Sequence, residues 1–270
     1  MLKKLLTPRI YGEISYGGYL DKVEEIRISA NKSVRVYSRG VCVNLLTVDQ
    51  CDVDIIYENA IRGSLYAVND DVKRGFITFD GGIRIGLCGE GVYECGEMQT
   101  MKNINSLVIR VPHNVYGIAD ELKSVIKKDG VIKNTILVAK PFSGKTTLLR
   151  ELARVFSANN KVVIIDEKNE LSATTKGVSY LDVGESNVLV GINKTDGVEF
   201  AIRNLSPEVL VTDEIYGERA EDGIKRCIEG GVSVFTSIHS SSLSDRIKNL
   251  FSVRVYLSDD PPGRILRIEE

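Results

Sequence analysis

The sequence predicts an α/β protein in two parts. A parallel sheet covered by helices spans residues 116–270, and a smaller α+β domain precedes it over residues 1–115. Three observations predict this. From about residue 116, continuous apolar runs alternate with helical segments, as strands buried on both faces do. Before that point, short runs alternate apolar and charged residues, as half-exposed antiparallel strands do. Within the second part, the apolar run 134–139 leads through a tight turn into Gly144-Lys145-Thr146-Thr147 at the head of a helix.

In the first part, Glu25-Ile-Arg-Ile-Ser, Ser33-Val-Arg-Val-Tyr and Gly75-Phe-Ile-Thr-Phe read as strands. Residues 52–72 read as a helix, with Val53, Ile56, Ala60, Ile61, Leu65 and Val68 near helical spacing. Asp80-Gly81-Gly82 is a hairpin-type turn before the strand at Ile83. In the second part, helices are expected at 119–128, 145–157 and 219–229, and strands at 134–139, 161–166, 209–213 and 232–238. Asn159-Asn160 ends the middle helix in polar turn residues. On such sheets ligands gather at the carboxyl ends of the strands.

The 270 residues are 43% apolar and 27% charged, ordinary for a globular chain. A net charge of −2 carries no strong nucleic-acid signal. No apolar run approaches the roughly 20 residues of a transmembrane segment. The N-terminus lacks the sustained apolar stretch of an export signal. The cysteines at 42, 51, 88, 95 and 227 have no C-x-x-C spacing, so free thiols in a reducing compartment are expected. With His113 and His239 the only histidines, a histidine-rich metal site is excluded.

The turn at 139–147 has the form of a phosphate-binding loop. N–H groups at a helix start converge on one spot, and the helix dipole favours negative charge there. Ser143, Gly144, Lys145, Thr146 and Thr147 are the nucleotide-binding candidates. Lys145 reaches the outer phosphates, and the Thr146 hydroxyl is suited to Mg²⁺. ATP or GTP is therefore the expected ligand. Three positions depart from the motif. Ala139 stands where glycine is usual, Pro141 removes an N–H, and Phe142 sits where the loop must approach phosphate.

Two apolar strands end in acid pairs. Asp213-Glu214 is the expected partner of the loop, with Asp213 beside Mg²⁺ and Glu214 orienting or deprotonating water. Asp166-Glu167 repeats the pattern. Asp166 and Glu167 either hold a metal-bound water and support the base, or form a polar strand end that caps the following turn. His239 ends another buried strand, where it can donate to the γ-phosphate or to Glu214. His113 reads as structural only. Arg84, Arg110, Arg203 and Arg219 are candidates for an arginine acting across a subunit contact, against the commoner role of a surface ion pair. Asn193-Lys194-Thr195-Asp196 spells a guanine-reading motif, but it precedes the 209–213 strand instead of following it and is discounted.

Taken together, these segments resemble the stage III sporulation protein AA family, itself similar to the motor ATPases of type II and type IV secretion and pilus systems. The resemblance rests on Glu25-Ile-Arg-Ile, Gly63-Ser-Leu-Tyr-Ala, the run from Gly75 to Gly89 and Ile104-Asn-Ser-Leu-Val-Ile-Arg-Val. It continues through Gly144-Lys-Thr-Thr-Leu-Leu-Arg-Glu-Leu-Ala-Arg, Ile165-Asp-Glu-Lys-Asn-Glu-Leu, the run from Leu205 to Ile215, and Gly231-Val-Ser-Val-Phe-Thr-Ser-Ile-His-Ser. It implies a RecA-like phosphate-loop fold of the AAA type, ATP with Mg²⁺ as ligands, and a homo-oligomeric ring, a hexamer. Asp166-Glu167 resembles the family's acidic box, His239 its histidine box, and Asp213-Glu214 its metal-supporting and catalytic pair. The implied role is to energise a channel from mother cell to forespore. The implied place is cytoplasmic, held at the membrane through membrane subunits of that complex. Phe142 and the short stretch after His239 depart from the family pattern, the second where subunits would touch.

Two other functions remain open on the residues. Arg27, Arg35, Arg39 and Tyr37 suggest a nucleic-acid-binding module joined to an ATPase. Pro141 and Phe142 suggest a catalytically weak assembly scaffold.

Overall fold

The computed structural model describes the chain except Arg39, residues 63–71, Arg74, Tyr216 and Leu243. It divides into two compact units, Met1–His113 and Asn114–Glu270.

The first unit begins with helices α1 (Leu2–Leu5) and α2 (Pro8–Tyr16). Strands β1 (Glu25–Ser29), β2 (Lys32–Ser38) and β3 (Val41–Val48) follow, then helix α3 (Gln50–Ile61). Strands β4 (Phe76–Phe79), β5 (Ile83–Glu94) and β6 (Glu97–Arg110) complete one antiparallel sheet, ordered β3-β2-β1-β6-β5-β4. The alternation seen in the sequence is the alternation of burial. In β1, Ile26 and Ile28 are buried while Glu25, Arg27 and Ser29 are partly exposed. Helix α3 starts at a capping box in which Asp49 and Asp52 exchange side chain for backbone N–H. The helix expected over 52–72 is shorter. It ends at Arg62, whose φ of 53° is left-handed, and residues 63–71 lie outside the described chain. The Gly63–Ala67 segment of the family resemblance falls there too.

The second unit opens with a correction. In place of a helix over 119–128 there is a 3₁₀ turn at Asp120–Leu122, a short helix α4 (Lys123–Ile126), and a two-stranded ribbon of β7 (Lys127–Lys128) and β8 (Val131–Ile132). Asp129 and Gly130 both take positive φ, and Asp-Gly closes a two-residue hairpin in place of another helical turn. The main elements are β9 (Thr135–Ala139), α5 (Lys145–Ser157), β10 (Val162–Asp166), β11 (Asn187–Val190), α6 (Lys194–Asn204), β12 (Val209–Glu214) and α7 (Glu218–Glu229). They continue through β13 (Ser233–His239), α8 (Asp245–Lys248), β14 (Val253–Asp259) and β15 (Pro262–Glu269). The seven strands run β11-β10-β12-β13-β9-β14-β15, parallel except for the final hairpin.

Alternate side chains of each strand feed two cores. Leu137, Ile164, Val211 and Phe235 pack with Leu148, Leu152 and Phe156 of α5. Ile136, Ile165, Leu210 and Val234 pack with Val198 and Ala201 of α6 and Ile224 of α7. Burial on both faces explains why these strands read as unbroken apolar runs. All parallel strands therefore present their carboxyl ends, Ala139, Asp166, Glu214 and His239, toward the same edge.

Candidate functional site

Gly144 stands immediately before α5 with φ of 84°, a conformation costly for any residue with a Cβ. An added Cβ would also sit 3.0 Å from Gly263 of the β14–β15 hairpin. That hairpin braces the loop. Gly263 N–H donates to the Ser143 carbonyl (2.9 Å), and Lys140 pairs with Asp259 (2.8 Å). Ser143 Oγ donates to the Lys140 carbonyl at 2.5 Å. Phe142 has φ of 63° and a side chain 93% exposed. The position has a glycine-like backbone, and its exposed aromatic group lines the rim of the cavity that holds Lys145.

Lys145 is turned back on its own loop. Its Nζ donates to the Lys140 (2.6 Å) and Ala139 (3.2 Å) carbonyls. Burial lowers its pKa from the ordinary lysine value, opposed by Glu214 and Asp259. It lines a cavity of about 420 Å³ together with Gly144, Thr146, Thr147, Asp213, Glu214 and His239.

The two acids of β12 reach that cavity because the strand is irregular at its end. Successive strand residues point to opposite faces. Between Val211 and Glu214, however, β12 carries one residue more than β13 opposite, a bulge that re-aims the strand end. Asp213 is buried and pairs with Lys194 Nζ at 2.7 Å. Burial raises its carboxyl pKa, and the Lys194 ammonium close beside it opposes that rise. Glu214 Oε1 lies 2.8 Å from His239 Nε2.

The set suits Mg²⁺, which takes hard oxygen ligands and usually keeps waters and phosphates beside one or two carboxylates. Thr146 and Asp213 offer a hydroxyl and a carboxylate in one cavity. Among the described residues no cluster of three or more His, Cys, Asp and Glu makes a protein-only metal cage.

Asp166 does not belong to that set. Its Oδ1 accepts from the N–H groups of Glu170 (2.9 Å) and Leu171 (3.1 Å). Its Oδ2 accepts from Ser172 N–H (2.8 Å) and Ser172 Oγ (2.7 Å). Four donors saturate both oxygens, so the expected metal role is corrected to a capping one. Arg150 closes the same loop from the other side, donating to the carbonyls of Leu171 (2.6 Å) and Glu170 (2.9 Å). Burial pulls the Arg150 pKa down to about 10. Glu167, held at the start of this loop, lies 3.4 Å from Lys194 Nζ.

The profile of the family described as "Sporulation stage III, protein AA" matches residues 19–260. The chain belongs to that family. It is 33% identical over 235 residues to stage III sporulation protein AA of Bacillus subtilis (strain 168), covering 84% of this chain and 76% of that one. Among solved structures it resembles the ATPase DotB of Yersinia pseudotuberculosis (TM-score 0.60, 15% identity, 94% of this chain and 76% of that chain). It also resembles the pilus retraction motor PilT with bound ADP (TM-score 0.59, 16% identity, 92% and 76%). At such identities the likeness concerns the fold, a RecA-like sheet that follows an α+β unit in the chain.

The arginines are distributed unevenly across this sporulation-family chain. Arg219 lines a second cavity of about 570 Å³ with Glu167, Lys194, Glu214 and His239. Arg203 pairs with Glu199 on α6 (2.6 Å), Arg110 pairs with Glu25 (3.4 Å), and the Arg84 guanidinium lies 3.9 Å from the Phe76 ring centre. On the first unit, Arg27 covers Tyr37 and hydrogen-bonds Glu25 at 2.6 Å, which offsets the basic face expected there; Arg39 lies outside the described residues. His113 hydrogen-bonds the Val23 carbonyl (2.6 Å). All five cysteines are free, and burial pushes the Cys227 thiol up to about 11. Among the described residues no helix is long and apolar enough to cross a membrane.

Sequence reasoning missed Lys194 and Arg150. Lys194 belonged to a four-residue string set aside as a spurious nucleotide-reading motif. A cation at the first position of a helix, where the dipole opposes positive charge, was the available signal.

Proposed function

We propose that the chain is a Mg²⁺-dependent ATP-hydrolysing motor that works as a ring, a hexamer, and energises a secretion-like channel during sporulation. The observation that carries this is one cavity uniting Lys145, Thr146 and Thr147 of the loop with Asp213 and Glu214 of β12. In this reading Lys145 leaves the loop carbonyls for the β and γ phosphates, while Ser143 to Thr147 surround them. Thr146 and Asp213 would hold Mg²⁺, which supplies charge neutralisation on the phosphates when bound. Glu214 positions the attacking water, and His239 holds Glu214 and senses the γ-phosphate. Glu167 sits beyond them as an auxiliary acid. Arg110 or Arg203 serves across a subunit contact, where such residues are worth about 10³–10⁵ in rate. The name of the Bacillus subtilis relative supports the sporulation setting. The DotB ATPase and the ADP-bound pilus retraction motor PilT, which share the fold, support ATP as the nucleotide and a motor as the output. The protein would act on the cytoplasmic side, bound to membrane subunits of its channel.

Glu214→Gln tests the assignment. It should keep nucleotide binding and lose at least ~10²-fold in turnover, roughly 3 kcal/mol of barrier. Near-normal turnover would remove Glu214 from the role. A second reading, a scaffold with weak turnover, draws on the positive φ of Phe142.

A further inference from the structure

Lys194 is the least expected charge in the site. It opens α6, where Asn193 caps the helix by accepting from Asp196 N–H (3.0 Å). The helix dipole disfavours a cation at that end. The side chain is nonetheless 88% buried, with a relative exposure of only 12%. Its Nζ lies 2.7 Å from Asp213 and 3.4 Å from Glu167, so one ammonium serves two carboxylates. A buried carboxylate is costly unless a positive charge accompanies it. In this arrangement Lys194 supplies that charge at the very acid that would face Mg²⁺.

We propose that Lys194 is a resident counter-ion that holds Asp213 in the metal-free protein and is displaced when Mg²⁺ arrives with nucleotide. The proposal rests on the ATPase reading for the identity of the incoming cation. Three features support an exchange. Lysine binds carboxylate as a compact point charge on a flexible stem, without the bidentate fork that would lock an arginine in place. The side chain lines the cavity of about 570 Å³ and so has space to swing into while keeping Glu167. Its backbone is the first turn of α6, so release at Asp213 is felt at the junction between β11 and α6. Metal binding is thereby coupled to an element outside the phosphate loop.

The consequence is a measurable competition. Removing the ammonium leaves Asp213 and Glu167 as an open pair of carboxylates, a better site for a divalent cation and a worse one without it. Two assays test this on the full chain, with Lys194→Met and the milder Lys194→Gln. The first follows thermal melting across a Mg²⁺ titration with no nucleotide. Both variants should melt below wild type without Mg²⁺ and recover as Mg²⁺ rises, with a midpoint about 10-fold lower than wild type. Adding Asp213→Asn should abolish the recovery. The second follows binding of a fluorescent ATP analogue against Mg²⁺, where the Mg²⁺ midpoint should fall by a similar factor. An unchanged Mg²⁺ midpoint in both variants would make Lys194 a fixed structural partner and overturn the proposal. A raised midpoint with weaker nucleotide binding would make it a phosphate ligand, which overturns it equally. If wild type binds no Mg²⁺·nucleotide and matches Lys145→Ala, the ATPase reading fails. The nucleotide-free melting series then still decides the role of Lys194.

Discussion

β10 and β12 end in the same way in sequence, an apolar strand followed by Asp and Glu, and in opposite ways in structure. Asp166 is surrounded by its own loop, which turns back to give it four hydrogen bonds from residues 170–172. Asp213 gets no such loop. The chain leaves β12 through a bulge, and the balancing charge comes from Lys194, on another element. One carboxylate is satisfied locally by dipoles and is closed to other ligands. The other is balanced by a cation on a separate element, the pair that we propose Mg²⁺ opens. On that proposal, an acidic strand end can serve as a ligand site only where the following residues leave it uncapped.

Three substitutions probe that contrast, and the largest effect should come from Asp213→Asn. It should lower Mg²⁺-dependent ATP turnover at least ~10²-fold, about 3 kcal/mol of barrier, in a steady-state assay. Folding stability should fall as well, by up to about 3 kcal/mol, because the buried Lys194 ammonium loses its nearer partner and keeps only Glu167. Asp166→Asn should separate the two effects. Placing an amide against the donors of residues 170–172 should cost about 2–3 kcal/mol in urea unfolding and leave the Mg²⁺ midpoint of nucleotide binding unchanged. Equal effects on turnover from both changes would dissolve the distinction. Phe142→Gly should have the smallest effect, a stabilisation of about 1 kcal/mol from releasing the left-handed strain. Because it touches neither acid, a large gain in ATP affinity from it would identify the loop as the weak part of the site, as the scaffold reading requires.

Much of the second unit was legible because its signals are strong and local. Unbroken apolar runs marked β9, β10, β12 and β13, and glycine followed by Lys-Thr marked the head of α5. The misreadings came from signals that compete at short range. The 119–128 segment has helical spacing, but Asp129-Gly130 folds it into a ribbon. The role of Asp166 was undecidable from sequence, since capping depends on where the backbone of residues 170–172 turns. Lys194 was hidden for a different reason. Its partner Asp213 is separated from it by the whole of α6, and only the parallel pairing of β10 with β12 and β11 brings Asp213, Glu167 and this lysine to one edge. The brace from Gly263 to Ser143 was hidden likewise, because nothing in the C-terminal hairpin announces a phosphate loop as its neighbour.

The most direct measurement is Mg²⁺·ATP binding and steady-state turnover by the purified chain over a range of protein concentrations, with Lys145→Ala beside it. The account predicts saturable binding, and a specific activity that rises with concentration as subunits meet and is absent from Lys145→Ala. Equal behaviour of the two proteins, with no nucleotide bound by either at any concentration, would contradict it.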